Sequence, residues 1–143
     1  MEKSKTATFI GHSDCNEISK TAIKNEIEKL INMGIYNFIS GGQGGFDRLC
    51  ARCVYELKQA YPQIKNYLVI PYLNFNIFNK EIFDFIIYPE GFEKLYFKSA
   101  IVAKNNYLIE NSRYAVCYIR HTWGGAAMTY EKAKSKGITI LDI

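Results

Sequence analysis

The chain has 143 residues, of which 48% are hydrophobic and 22% charged, with 18 Lys and Arg against 14 Asp and Glu for a net charge of +4. That length suits one domain with its own core, and the composition excludes a disordered polymer. The longest apolar runs, such as "YLVIPYL" and "FDFIIYP", are far shorter than a membrane span, and "MEKSKTATFIGHS" lacks the apolar core of a secretory signal, which points to the cytoplasm.

In chain order, short β-rich runs alternate with amphipathic stretches. "TATFI" predicts a strand. "ISKTAIKNEIEKLINMG" predicts a helix with Ile23, Ile27, Leu30 and Ile31 on one face and Gly34 at its end. "IYNFI" predicts a second strand, and "FDRLCARCVYELKQAYP" a second helix with Leu49, Cys53, Val54 and Leu57 on its apolar face and Pro62 beyond it. "KNYLVI" predicts a third strand, "LNFNIFNKEIFD" a short helix and "FIIYP" a fourth strand. "EKLYFKSAIVAKNNYLIENS" reads as a loop leading into a helix, "YAVCYI" as a strand, "GAAMTYEKAKSKG" as a helix and "ITILDI" as a final strand. Strands apolar on both faces and separated by helices predict an α/β fold: a single Rossmann-like domain over 1–143, three layers deep, with a mostly parallel sheet.

In such sheets the ligand crevice lies beyond the carboxyl ends of the strands. This directs attention to "GHSD" after the first strand, "SGGQGGFD" after the second, "PY" after the third, "YPEG" after the fourth and "RHTWGG" after the fifth. Glycines between strand and helix remove Cβ atoms and expose N–H groups at a positive helix terminus, which suits phosphate. No Lys-Ser/Thr follows Gly45, so the Walker A pattern is absent. The dinucleotide fingerprint fails too, because its third glycine position holds Asp47 and the third strand ends in Pro71 and Tyr72. Asp47 has two readings, a helix-start residue or an acceptor for ribose hydroxyls. Gly124 and Gly125 open a second such helix, with His121 and Trp123 as a wall for a base and Glu131 two turns in.

Among the four cysteines only "CARC" has metal-like spacing. It lies within an expected helix without a second pair, so it reads as reduced, partly buried thiols, and no metal or cofactor is expected. The basic residues are scattered, so the charge suits a small anionic ligand, and a polynucleotide is not the expected partner.

The successive stretches "FIGH", "FISGGQGGFDRLCA", "FDFIIYPEG" and "AKNNYLIENSRYAVCYIRHTWGGAAMTYEKAKSKG" resemble the SLOG superfamily of Rossmann-like domains, in particular its small YpsA-like branch, over nearly the whole chain. Relatives in that superfamily include the LOG phosphoribohydrolases, DNA-processing protein A and sensors of NAD-derived signals. The resemblance implies one pocket formed by Gly11, Ser40, Gly41, Gly42, Gly44, Asp47, Asn105, Gly124, Gly125 and Glu131. His12 and Gly45 lie in the same loops, and Lys104 is the nearest match to the arginine that the LOG enzymes carry on the preceding helix. Their "GGxGTxxE" motif ends in a catalytic glutamate; "GGAAMTYE" keeps the two glycines and the glutamate, Glu131, but carries its threonine one residue later, and Trp123 replaces the leading proline. Lysine lacks the planar fork of arginine.

The expectation is a protein that binds a nucleotide-derived small molecule (ADP-ribose-like, NAD-derived or a cyclic nucleotide) as sensor, carrier or sequestering protein. The alternatives are an N-glycosidase of nucleoside monophosphates with Glu131 as its catalytic residue and, more weakly, a nucleic-acid binder. A homodimer is expected through the aromatic-rich stretch 72–97.

Overall fold

The alternation of apolar residues along the strands decides how the layers form. In the computed structural model, which describes residues 1–15 and 17–143, six strands form one sheet: β1 (Thr6–Gly11), β2 (Asn37–Ser40), β3 (Lys65–Val69), β4 (Phe85–Ile87), β5 (Tyr114–Tyr118) and β6 (Thr139–Asp142). Their order across the sheet is β4-β3-β2-β1-β5-β6, and every pairing is parallel. Phe9, Phe38 and Val116 face one side, and Ile10, Ile39, Ala115 and Cys117, each one residue away, face the other. Both faces must therefore be covered.

Four helices cover them: α1 (Lys20–Asn32), α2 (Gly44–Leu57), α3 (Phe97–Glu110) and α4 (Gly125–Ser135). The helices α1 and α2 pack on the first face, where Ile23, Ile27, Leu30, Phe46, Cys50, Cys53 and Val54 are fully buried. The opposite face is covered by α3 and α4 through Leu108, Ile109 and Ala133. Each such large apolar side chain stabilises the fold by roughly 1.5–3 kcal/mol relative to exposure. The start of α1 is fixed by Ser19, whose hydroxyl accepts from the Ala22 N–H at 3.2 Å. Its end comes at Gly34, at φ +94°.

The predicted helix over 73–84 is not formed; only Lys80–Ile82 makes a single 3-10 turn. Asn74, Asn76 and Asn79 favour local turns over a helical ladder, and Asn79 lies at φ 55°, the single non-glycine residue with positive φ among those described. The segment instead runs beside α2, with Phe78 under Arg48 and Asp84 paired with Lys58.

Chain direction fixes where a ligand crevice opens. From β1 the chain builds outward through β2, β3 and β4, then α3 carries it back to β5 on the other side of β1. The switch point lies between β1 and β5, so the loops after these two strands diverge there. No helix among the described residues is long and apolar enough to cross a membrane.

Candidate functional site

The glycines of "SGGQGGFD" are required mainly by the protein itself. At Gly41 a Cβ would meet Lys104 Nζ at 2.7 Å, and at Gly42 (φ +66°) it would meet Leu68 Cδ1 at 2.7 Å. At Gly44 (φ +84°) it would lie 2.9 Å from Ser13 Cα, and at Gly45 2.5 Å from the Ser13 carbonyl oxygen. The Gly45 N–H donates to that carbonyl at 2.9 Å, so the start of α2 is already occupied by the β1–α1 loop. Gly11 behaves alike: a Cβ there would fall 2.9 Å from Phe46 Cβ and nearer still to its ring.

Gly124 and Gly125 differ. Among the described residues a Cβ at either would meet nothing within 4 Å and no side chain caps the first turn of α4, and Gly124 lies at φ +93°. Open N–H groups at the positive end of a helix are left facing the crevice.

Between these two loops lies a buried charge cluster. Lys104, on α3, is only 2% exposed, and its ammonium donates to the Gln43 side-chain carbonyl and faces the Asp47 carboxylate. Burial lowers the Lys104 pKa while Asp47 opposes that shift. The Asp47 carboxyl is pushed up to about 6, chiefly by desolvation; Lys104 and the backbone N–H groups of Gln43 and Gly41 hold it back. Asp47 thus ties the β2–α2 loop to its own helix and offsets the charge of Lys104.

The opposite wall is aromatic. His12, 6% exposed, stacks on His121 at 3.7 Å between ring centroids, and His121 stacks on Trp123 at 3.9 Å. The order of the stack is set from within: Arg120 N–H donates to His12 Nε2 at 2.8 Å and His121 N–H at 3.4 Å. An accepting Nε2 requires a neutral ring, and burial, His121 and Arg120 all lower the His12 pKa. The outer plate, Trp123, is 69% exposed. His121 Nδ1 is buried without a hydrogen-bond partner among the described residues, an orphan beside the crevice.

The walls enclose a cleft of about 440 Å³, within the range of small-molecule sites. Of the residues expected from sequence, Gly11, His12, Asp47, Lys104, Asn105, Trp123, Gly124 and Gly125 line it. Gly42 and Gly45 face a different cavity. Ser40 is buried at the end of β2, its hydroxyl without a partner among the described residues, while Gly41 and Gly44 are covered by Lys104 and Ser13. Glu131 lies outside the cleft, its side chain 69% exposed and paired with Lys134 at 3.6 Å. Thr129 occupies the cleft side of α4 instead, its hydroxyl donating to the Gly125 carbonyl at 2.9 Å. Gln43, Ser13 and Asp14, which lie in the loops flagged from sequence but were not singled out there, also line the cleft. Their position directly after β1 and β2 was the available signal.

Cys50 and Cys53 are fully buried in the core, where desolvation pushes the Cys53 thiol up to about 11. Neither sits at the cleft.

Comparison with known proteins agrees with this architecture. The family model described as the YspA SLOG family, YpsA, matches residues 7–138. A UPF0398 protein of Oenococcus oeni is 31% identical over 124 residues, covering 80% of this chain and 61% of that protein. Among solved structures, DNA processing protein A from Helicobacter pylori, described for its single-stranded DNA binding mode, superposes with a TM-score of 0.66 at 16% identity over 98% of this chain and 65% of that one. DNA processing protein A from Streptococcus pneumoniae gives 0.67 at 19% identity over 98% and 50%. The chain thus spans about half to two thirds of the length of these relatives. With the sheet order, the two loops at its switch point and the match over residues 7–138 in agreement, the chain belongs to the YpsA family of SLOG proteins.

Proposed function

We propose that the cleft binds a nucleotide-derived small molecule, with its base against Trp123 and its phosphate at the start of α4. The observation that carries this reading is the pairing, in one cleft, of an exposed aromatic stack with a glycine-opened helix start that has neither cap nor obstruction. Aromatic faces take bases by stacking, and first-turn N–H groups donate to phosphate. The unpartnered His121 Nδ1 offers a further polar contact. Trp123 is the sole tryptophan, so its fluorescence reports on the site directly. Titration with AMP, ADP-ribose, NAD and cyclic nucleotides should give saturable quenching with at least one of them, matched by calorimetry. Silence in both measurements across the series would refute the reading.

A second reading is favoured by one specific observation, the likeness in fold to a protein described for single-stranded DNA binding. With that likeness, the scattered charge no longer justifies setting nucleic acid aside. Under this reading Trp123 stacks a base of a strand running past the cleft. Oligonucleotide binding that falls steeply with salt, with no response to mononucleotides, would replace the small-molecule reading by this one. The N-glycosidase reading gains no support from Glu131, which is paired with Lys134 outside the cleft; release of free base abolished in Glu131→Ala would restore it. Self-association through the exposed Leu73, Tyr96 and Phe97 belongs to the same proposal and is tested by sedimentation.

A further inference from the structure

On the far side of the β2–α2 loop lies a second cavity of about 360 Å³, sharing no lining residue with the cleft. Its floor is apolar, made by Leu68, Ile82 and Leu49, and the unpredicted coil over 72–83 closes it with Phe75 and Phe78. Two cations stand at this otherwise greasy chamber, Arg48 and Arg52, one turn apart on α2. Neither guanidinium makes an ion pair among the described residues. Arg48 is held only by lying over the Phe78 ring at 4.9 Å, and Arg52 by lying 5.6 Å from the Tyr55 ring centroid. Stacking leaves the guanidinium N–H donors free.

We propose that this cavity is a second ligand site, taking an amphipathic organic anion: a flat or short-chain apolar body in the chamber, and one carboxylate or phosphate group on Arg48 and Arg52. The volume fits a small organic molecule. An apolar chamber bordered by two unpaired, forked donors matches a ligand that is apolar at one end and anionic at the other. A purely apolar ligand would leave the arginines unused, and a purely ionic one would leave Phe75, Leu68 and Ile82 unfilled.

The test uses the full chain and two fluorescent probes of one shape, 8-anilinonaphthalene-1-sulfonate and its uncharged counterpart N-phenyl-1-naphthylamine. The sulfonate is expected to bind with 1:1 stoichiometry and at least tenfold more tightly than the neutral probe. Arg48→Glu, an exposed change on α2, should weaken the sulfonate at least tenfold and leave the neutral probe unchanged; Trp123→Ala should change neither. Competition with 1-naphthoate and 1-naphthyl phosphate then identifies the head group, the better competitor naming it. Absence of 1:1 binding, equal binding of the two probes, insensitivity to Arg48→Glu, loss in Trp123→Ala, or failure of both competitors would each overturn the proposal. None of these measurements depends on nucleotide binding in the cleft, so the two readings fail separately.

Discussion

Gly125→Ala separates the ligand role of the second glycine pair from any structural role. A Cβ at Gly125 meets nothing within 4 Å, and its backbone is not in the left-handed region, so the methyl group causes no clash. Replacing a helical glycine by alanine is worth up to about 0.5–1 kcal/mol, and the first helical position belongs at the low end. At this chain length that raises the melting temperature by roughly 1–4 °C. The same methyl group occupies the space through which a phosphate would reach the first-turn N–H groups of α4. A hydrogen bond to a charged group contributes about 1.5–3 kcal/mol, so losing one weakens the ligand about 10- to 150-fold. The assay is paired: thermal unfolding without ligand, and Trp123 fluorescence titration with whichever nucleotide quenches the wild type. Higher stability together with unchanged affinity would refute phosphate placement at α4. A melting temperature lowered by several degrees would refute the open space itself.

The other glycines should respond in the opposite way. Gly11→Ala drives a methyl into the Phe46 ring, so destabilisation of about 1–3 kcal/mol is expected in urea unfolding; a neutral result would mean that Phe46 moves aside at little cost. Asp47 changes how stability depends on pH. Its carboxyl rises from 3.8 to about 6 on folding, so between these values the native state holds a proton that the unfolded chain releases, and stability should fall as pH rises through that window. Asp47→Asn removes this component, and parallel profiles of wild type and variant between pH 4 and 6 would contradict it. Salt offers a third check. The cleft's single lysine already faces Asp47 and Gln43, so a mononucleotide should bind with a shallow dependence on ionic strength, and a steep slope would indicate phosphate contacts with cations elsewhere.

Much of the fold was legible because both faces of the sheet are buried. Phe9 beside Ile10 and Phe38 beside Ile39 need partners on opposite sides, and the four helical stretches supply them. The segment 73–84 was not legible: its apolar spacing resembles a helix, and the positive φ of Asn79 that interrupts it is not something periodicity registers. The glycine loops were half legible. "SGGQGGFD" announced close approach correctly, but the approaching groups are Lys104, Leu68 and Ser13, each distant in sequence. "TWGG", read by the same logic, is the one left open. Lys104 could be singled out only through resemblance, since nothing local tells that a lysine on α3 will be 2% exposed. The His12, His121 and Trp123 stack joins residues more than a hundred positions apart and depends on β1 and β5 being neighbours, a pairing that the strand sequences alone do not specify.

The two cavities divide their electrostatics in opposite ways, and this bears on what each can recognise. In the cleft, the ammonium of Lys104 is buried, donates to Gln43 and is balanced by the nearby charge of Asp47. A buried charge is tolerated only with such partners, and drawing it away to a ligand would strand Asp47 and release the loop that Gly41 lets it pack against. On the proposed reading, recognition there rests on groups with nothing else to satisfy: the amides of α4, His121 Nδ1 and the face of Trp123. These are directional contacts, and they would suit a ligand that presents a base and one phosphate. Across the β2–α2 loop the position is reversed. Arg48 and Arg52 are held by rings rather than carboxylates, so their charge remains available, and the apolar chamber beside them lowers the dielectric in which an anion would meet it. The loop that separates the two carries no side chain at four of its five positions from 41 to 45, and the fifth, Gln43, is the one that holds Lys104. A wall this thin, fixed to α3 by one lysine, keeps the chambers apart while leaving each with its own chemistry.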